Sequence, residues 1–486
     1  MGFKADTSFL QKLTMGATAT RAAIEHLAGL GFVLIELERY STSNKIWTTK
    51  VKRLRLADLL CVRTGLRVEV RAKSDLQIKM SDSPSNRDRR WDSGLRDEDL
   101  VALVACDGGA TVHVRGVPVF FAVGDLRSTA QLAKLGQPKS AGEGAERDLT
   151  WPSIVPSADG EVVEVSRDRM RARMRSGRVQ TYQLKGKTPY VCEGEAFWGE
   201  ASILAGVVPR KVDPRTLLGG TWSPEDDLRS TDATDRYAAA KALGSGKIDR
   251  PAVHELLQRA LDAEEEPRTA LEMAGALARL GIDRGFEHLA AATLRNDAPL
   301  PFLRMEGVLI LSELQDDRAA ALLDSVAGAR GLRGDELRQA AVWGLGRQGT
   351  ARYEPLCKYI ADEEDDVALH ALAALGPGAP RRVVETLARQ LVDSPHARER
   401  AAASEALRLI GSAEVAEVLV ALARAHATPW LVATLGRLPK RVLAQAGLQA
   451  DLARAIEPVG LLSEPDNWLM SAATANDFRF LLQQTL

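Results

Sequence analysis

The stretch Ala274-Gly275-Ala276-Leu277-Ala278-Arg279-Leu280-Gly281 decides the fold, because the chain repeats it. The same sequence of small and apolar residues ending in glycine returns as Ala238–Gly244 (AAAKALG), Ala341–Gly346 (AVWGLG), Leu372–Gly376 (LAALG) and Ala406–Gly411 (ALRLIG). Glycines 244, 281, 376 and 411 are separated by 37, 95 and 35 residues. The long gap holds two less regular units, around Val308 to Leu314 and Ala341 to Gly349. A period of about 30–40 residues with a helix-glycine-helix signature reads as a solenoid of stacked helical hairpins. Glycine at the end of the first helix is expected to supply a left-handed cap. The second helix carries Leu, Ala and Val stripes, as in Val415 to Ala425.

This array, from about Asp232 onward, resembles HEAT and PBS-lyase-type repeats. The resemblance covers about half the chain and implies a surface for a partner. It implies no chemistry.

Working outward, 486 residues with 45% hydrophobic content predict two or three domains. No apolar run approaches the length of a membrane span, and MGFKADTSFL offers no secretory h-region. Cys61, Cys106, Cys192 and Cys357 are far apart, which argues against a disulfide framework or zinc ribbon and for small core residues in a cytoplasmic protein. The net charge of -1 conceals a basic segment: Lys45 to Arg96 holds 14 Lys/Arg against 6 Asp/Glu. That excess reads as a solvated face or as a polyanion-binding region.

In front of the array, a helix is expected at Ala17 to Leu27, ending at Gly29 and Gly31. Strands follow at Phe32 to Leu37, Lys45-Ile46-Trp47, Leu56 to Val62, Leu66 to Lys73, Leu100 to Cys106 and Val117 to Val123. Gln131 to Glu146 reads as a linker, and Trp151 to about Val208 as β-rich. Residues 217–231 look like a connection to the array.

The sharpest local pattern is Leu56-Ala57-Asp58 followed, beyond Gly65, by Val68-Glu69-Val70-Arg71-Ala72-Lys73. Strand alternation puts Arg67, Glu69, Arg71 and Lys73 on one face. A hairpin through Gly65 lays Asp58 near Glu69. Two carboxylates beside cations suit a hard divalent metal that activates water and neutralises phosphate.

The arrangement resembles the PD-(D/E)xK nuclease superfamily over roughly the first 130 residues. The resemblance implies an N-terminal helix, a strand meander, a following helix and further strands. It makes Asp58 and Glu69 ligands of Mg²⁺ (or Mn²⁺) and Glu25 the assisting helix acid. The residue two after Glu69 is Arg71 instead of lysine, so either Arg71 or Lys73, one pleat further, stands in, or the site is degenerate.

Two further features bear on partners. Arg169, Arg171, Arg173 and Arg175 alternate with Met170, Ala172 and Met174, which gives an arginine face for phosphate contacts or a charged, guarded strand. Arg89 and Arg90 precede Trp91, which reads as a stacking platform for single strands or as a core anchor. No GxxxxGK[ST] or GxSxG is present, so the P-loop and α/β-hydrolase classes find no support.

The expected architecture is multidomain: a mixed α/β nuclease-like domain (1–130), a linker and small β-rich region (131–231), and an α-solenoid of HEAT-like repeats (232–486). The expected function is a metal-dependent nuclease in bacterial DNA defence or repair, acting on DNA ahead of RNA. The alternative is a non-catalytic adaptor with a degenerate nuclease fold whose array docks protein or nucleic acid.

Overall fold

The computed structural model describes residues 7–37, 54, 56–83, 90–108, 112–139, 146–246, 252–294, 301–329, 335–447 and 453–454. The expected strand Lys45-Ile46-Trp47 lies outside them.

Helix α1 (Thr7–Gly29) starts ten residues before the expected Ala17. Its face of Ala19, Ala23 and Leu27 repeats every four residues and is fully buried. That face packs on a five-stranded sheet of β1 (Leu34–Glu36), β2 (Leu59–Cys61), β3 (Arg67–Lys73), β5 (Leu100–Asp107) and β6 (His113–Ala122), in the order β1-β2-β3-β5-β6. β4 (Lys79–Asp82) lies in another sheet. β1, β2 and β3 form an antiparallel meander, while β3 and β5 run parallel. The β2–β3 turn uses Gly65 at φ +70, and a Cβ there would stand 2.6 Å from Trp222 Cγ. Both the left-handed backbone and the indole therefore demand glycine. The expected strand Val117–Val123 extends back to His113 and stops at Ala122, where a short helix, Val123–Ser128, begins.

Every residue of β5 from Leu100 to Cys106 is buried, so the sheet needs cover on both faces. α1 covers one. The other lies against a cluster containing Trp91, Trp151, Phe121, Tyr190 and Ile203, with Trp91 and Trp151 edge to face at 5.4 Å. The β-rich region thus shares a core with the sheet. It contributes β7 (Lys134–Leu135), β8 (Arg147–Thr150), β9 (Ser153–Ile154), β10 (Gly160–Val165), β11 (Arg169–Met174), β12 (Val179–Gln183), β13 (Thr188–Pro189), β14 (Ala196–Phe197) and β15 (Ala205–Gly206). These form the small sheets β4-β8-β7, β13-β15-β9 and β12-β11-β10-β14. The expected linker therefore carries β7 within it.

The array follows, beginning with helices Ala233–Gly244, Val253–Ala263 and Pro267–Arg279. From Asp283 two layers alternate. One holds Pro301–Leu311, Asp335–Leu345, Asp365–Ala373, Ala397–Ile410 and Pro429–Gly436. The other holds Asp283–Leu294, Asp317–Gly328, Tyr353–Tyr359, Arg381–Asp393, Ala413–Ala425 and Lys440–Gln445.

The recurring glycines serve two purposes. Gly281 (φ +79) and Gly411 (φ +51) are left-handed, as expected of caps. Gly244 and Gly346 are not caps of that kind. A Cβ on Gly244 would fall 2.5 Å from Ala276 Cα, and one on Gly346 would fall 2.6 Å from Ala374 Cβ. There glycine lets neighbouring repeats approach closely.

Two compact units account for the described chain, and within the array they divide at Leu280/Gly281. The reason is chemical. Tyr237, Ala238 and Ala242 of the first array helix share a buried cluster with Ile35, Leu37, Leu60 and Val62. The buried Lys241 ammonium donates to the Leu37 carbonyl at 3.3 Å, and the buried Arg67 guanidinium pairs with Asp235. Among the described residues no helix is long and apolar enough to cross a membrane.

Candidate functional site

The β2–β3 register pairs Leu60 with Arg67 and Leu59 with Val68. The ladder ends there; Asp58 precedes β2 and reaches β3 at the Val70 backbone N–H, next to Glu69. Parallel pairing of Glu69 with Val101 and of Arg71 with Leu103 carries the Glu69/Arg71 face toward the Trp91/Trp151 side of the sheet.

Each acid already has a protein partner. Asp58 Oδ2 accepts a hydrogen bond from the Val70 backbone N–H at 2.6 Å, and its own carbonyl accepts from Leu37 N–H at 2.8 Å. This half-buried carboxylate ties β3 to β2 just beyond the last ladder pair. Glu69 Oε1 lies 2.7 Å from Arg71 Nη2, and its side chain is only 14% exposed. Arg71, two residues after Glu69, is thus its ion-pair partner.

Lys73 points its ammonium to the Lys79 carbonyl oxygen at 2.5 Å. Burial, assisted by Arg71 and Lys79, lowers its pKa to about 8, with Asp148 opposing. Glu25 does not join these groups. It is exposed on α1, and α1 packs on the Val68/Val70 face of β3. Among the described residues no group of three His, Cys, Asp or Glu side chains is placed to hold a metal ion.

The basic segment is largely paired where it is described. Arg67 meets Asp235, Lys79 meets Asp148, Arg90 meets Asp92 at 3.5 Å, and Arg96 meets Glu98 and Asp99. Asp99 escapes a motif search although it is completely buried. It accepts from the backbone N–H groups of Arg67 (3.1 Å) and Arg96 (2.7 Å), and burial pushes its pKa up against those two cations. Trp91 is a buried core anchor and offers no stacking platform. Arg89 lies outside the described residues.

On β11 the burial alternates strictly, with Arg169, Arg171 and Arg173 exposed and Met170, Ala172 and Met174 buried. Glu164 sits 3.5 Å from Arg169 and 3.2 Å from Arg171, and Asp159 lies 3.8 Å from Arg175. Arg173 is in register with Glu161. Cys61 and Cys106 are buried, Cys357 is partly so, and Cys192 is exposed.

The HEAT-repeat family profile matches residues 353–435. The C-terminal region carries HEAT repeats. Similar solved structures include the complex of CpcE and CpcF of phycocyanin lyase from Nostoc sp. PCC7120, at 21% identity over 50% of this chain and 95% of that one, with TM-score 0.26. An engineered protein is 17% identical over 53% of this chain and 86% of its own, with TM-score 0.24. A Kap121p mutant is 12% identical over 55% of this chain and 33% of its own, with TM-score 0.30. No curated protein matches.

Proposed function

We propose that this chain is a non-catalytic adaptor: a HEAT-type array that docks a partner, attached to a nuclease-like α/β domain that no longer cleaves. The observation that carries the reading is the Arg71 guanidinium on the Glu69 carboxylate at 2.7 Å. A bivalent metal site needs that carboxylate as an anion open to the ion. Here a fixed cation takes its charge, and Asp58 spends an oxygen on the Val70 amide. The HEAT repeats at 353–435 support the docking half, because stacked hairpins build extended binding surfaces. A protein partner is the first candidate. The exposed arginines of β11 favour a polyanion such as DNA as a second one.

The nuclease-like origin is supported by α1, by the antiparallel meander β1-β2-β3 and by Asp58 meeting β3 at Val70, beside Glu69. The same juxtaposition favours a second reading, an active Mg²⁺- or Mn²⁺-dependent phosphodiesterase. A plasmid and single-strand cleavage assay of wild type and Asp58→Ala separates the two. Cleavage that disappears in the variant would establish the second reading and end the first.

A further inference from the structure

β4 and β8 pair antiparallel with Lys79 opposite Thr150 and Ser81 opposite Asp148. That pairing brings Lys139 to Lys79 and to Lys73, which lies six residues before Lys79. Lys139 Nζ lies 2.8 Å from Asp148 Oδ1 and donates to Ser81 Oγ at 3.1 Å, while Lys79 Nζ is 3.7 Å from Asp148 Oδ2. Ser81 in turn donates to Glu146 at 2.9 Å. Lys73 reaches the same place from the end of β3 through the Lys79 carbonyl, and Asp148 feels all three lysines.

We propose that Lys73, Lys79 and Lys139 form a binding site for a phosphate group. Among the described residues three lysines share this corner with two carboxylates, Asp148 and, through Ser81, Glu146, since Arg71 is engaged by Glu69. Each ammonium has three donors, and Lys73 directs one of them to the Lys79 carbonyl. Lysines bind phosphate as compact point charges with three donors each, without the directional fork of arginine. Lys79 and Asp148 are each 36% exposed, so the cluster opens to solvent. Burial is the first cause of the lowered basicity of Lys73, and Arg71, Lys79 and Lys139 add a repulsion that a bound anion would relieve. The site needs no metal and no cleavage, and it does not rest on the adaptor reading.

Acetylation of Lys73 in the full-length protein, followed by mass spectrometry at mildly alkaline pH, tests this. The reaction is run with chloride alone, with inorganic phosphate, or with a short single-stranded oligonucleotide, all at matched ionic strength. Phosphate binding raises the pKa of Lys73 and slows its acetylation several-fold. The Lys79→Ala/Lys139→Ala double variant, which keeps the Lys79 carbonyl, loses that protection. Slowing by both ligands assigns the site to phosphodiesters as well as free phosphate, and slowing by inorganic phosphate alone assigns it to small phosphorylated ligands. No slowing by either, or equal slowing in the double variant, overturns the proposal. Circular dichroism of the double variant separates lost binding from lost folding.

Discussion

At the scale of single residues, Arg71 decides more than its neighbours do. Strand alternation places Glu69, Arg71 and Lys73 on one face, and that much is legible from the sequence. The sequence does not say which partner each takes. Arg71 turns back to Glu69, while Lys73 crosses to β4 and meets cations that lie 6 and 66 residues further along. His370 illustrates the same limit. It reads as one of several scattered histidines, yet it is completely buried and burial lowers its pKa to about 3. The unfolded chain takes a proton near the ordinary value of 6.5, and the folded chain refuses it. Stability of the C-terminal unit therefore falls as pH drops from about 6.5 toward 3, by up to about 1.4 kcal/mol per pH unit for this one group. Urea unfolding across that range should show a shallower acid slope in His370→Leu than in wild type.

At the scale of elements, periodicity made the array readable, because each helix repeats its own apolar stripe. In Arg381–Asp393 the buried residues Val383, Val384, Leu387, Ala388 and Leu391 mark the inner face. Truncating Leu387 to alanine should cost about 2–5 kcal/mol. The separate duties of the glycines were not readable, since cap and close approach look alike in sequence. They can be told apart by experiment. Gly244→Ala drives a methyl onto Ala276 and should destabilise by about 1–3 kcal/mol. A methyl on Gly376 meets nothing within 4 Å, and its backbone is not left-handed. Gly376→Ala should therefore be neutral or stabilising by up to about 1 kcal/mol. Thermal unfolding of the two variants measures the difference. The hairpin through Gly65 was legible for the opposite reason: only one turn residue in that stretch tolerates positive φ.

At the scale of the whole molecule, composition signals several domains but not where the compact units divide. The first array helices complete the core of the α/β unit, through Tyr237 against Leu37 and Leu60, and through Asp235 on Arg67. No sequence pattern announces contacts across some two hundred residues. A fragment ending at Thr231 exposes that cluster and removes the Asp235 partner of Arg67. A fragment ending at Leu280 keeps both. Sharp, cooperative unfolding is expected of the longer fragment and loss of cooperativity of the shorter one. Equal behaviour of the two would remove the argument for a boundary at Gly281.

The claim that joins these scales is that the acids at 58 and 69 serve the fold and no longer serve a metal. Cleavage of plasmid and single-stranded DNA in Mg²⁺ or Mn²⁺ tests it most directly, with wild type, Asp58→Ala and Arg71→Lys compared side by side. The account predicts no cleavage by wild type above the Asp58→Ala background. Any activity that emerges should appear only in Arg71→Lys, where Glu69 loses its guanidinium. Asp58-dependent cleavage by the wild-type protein would contradict it.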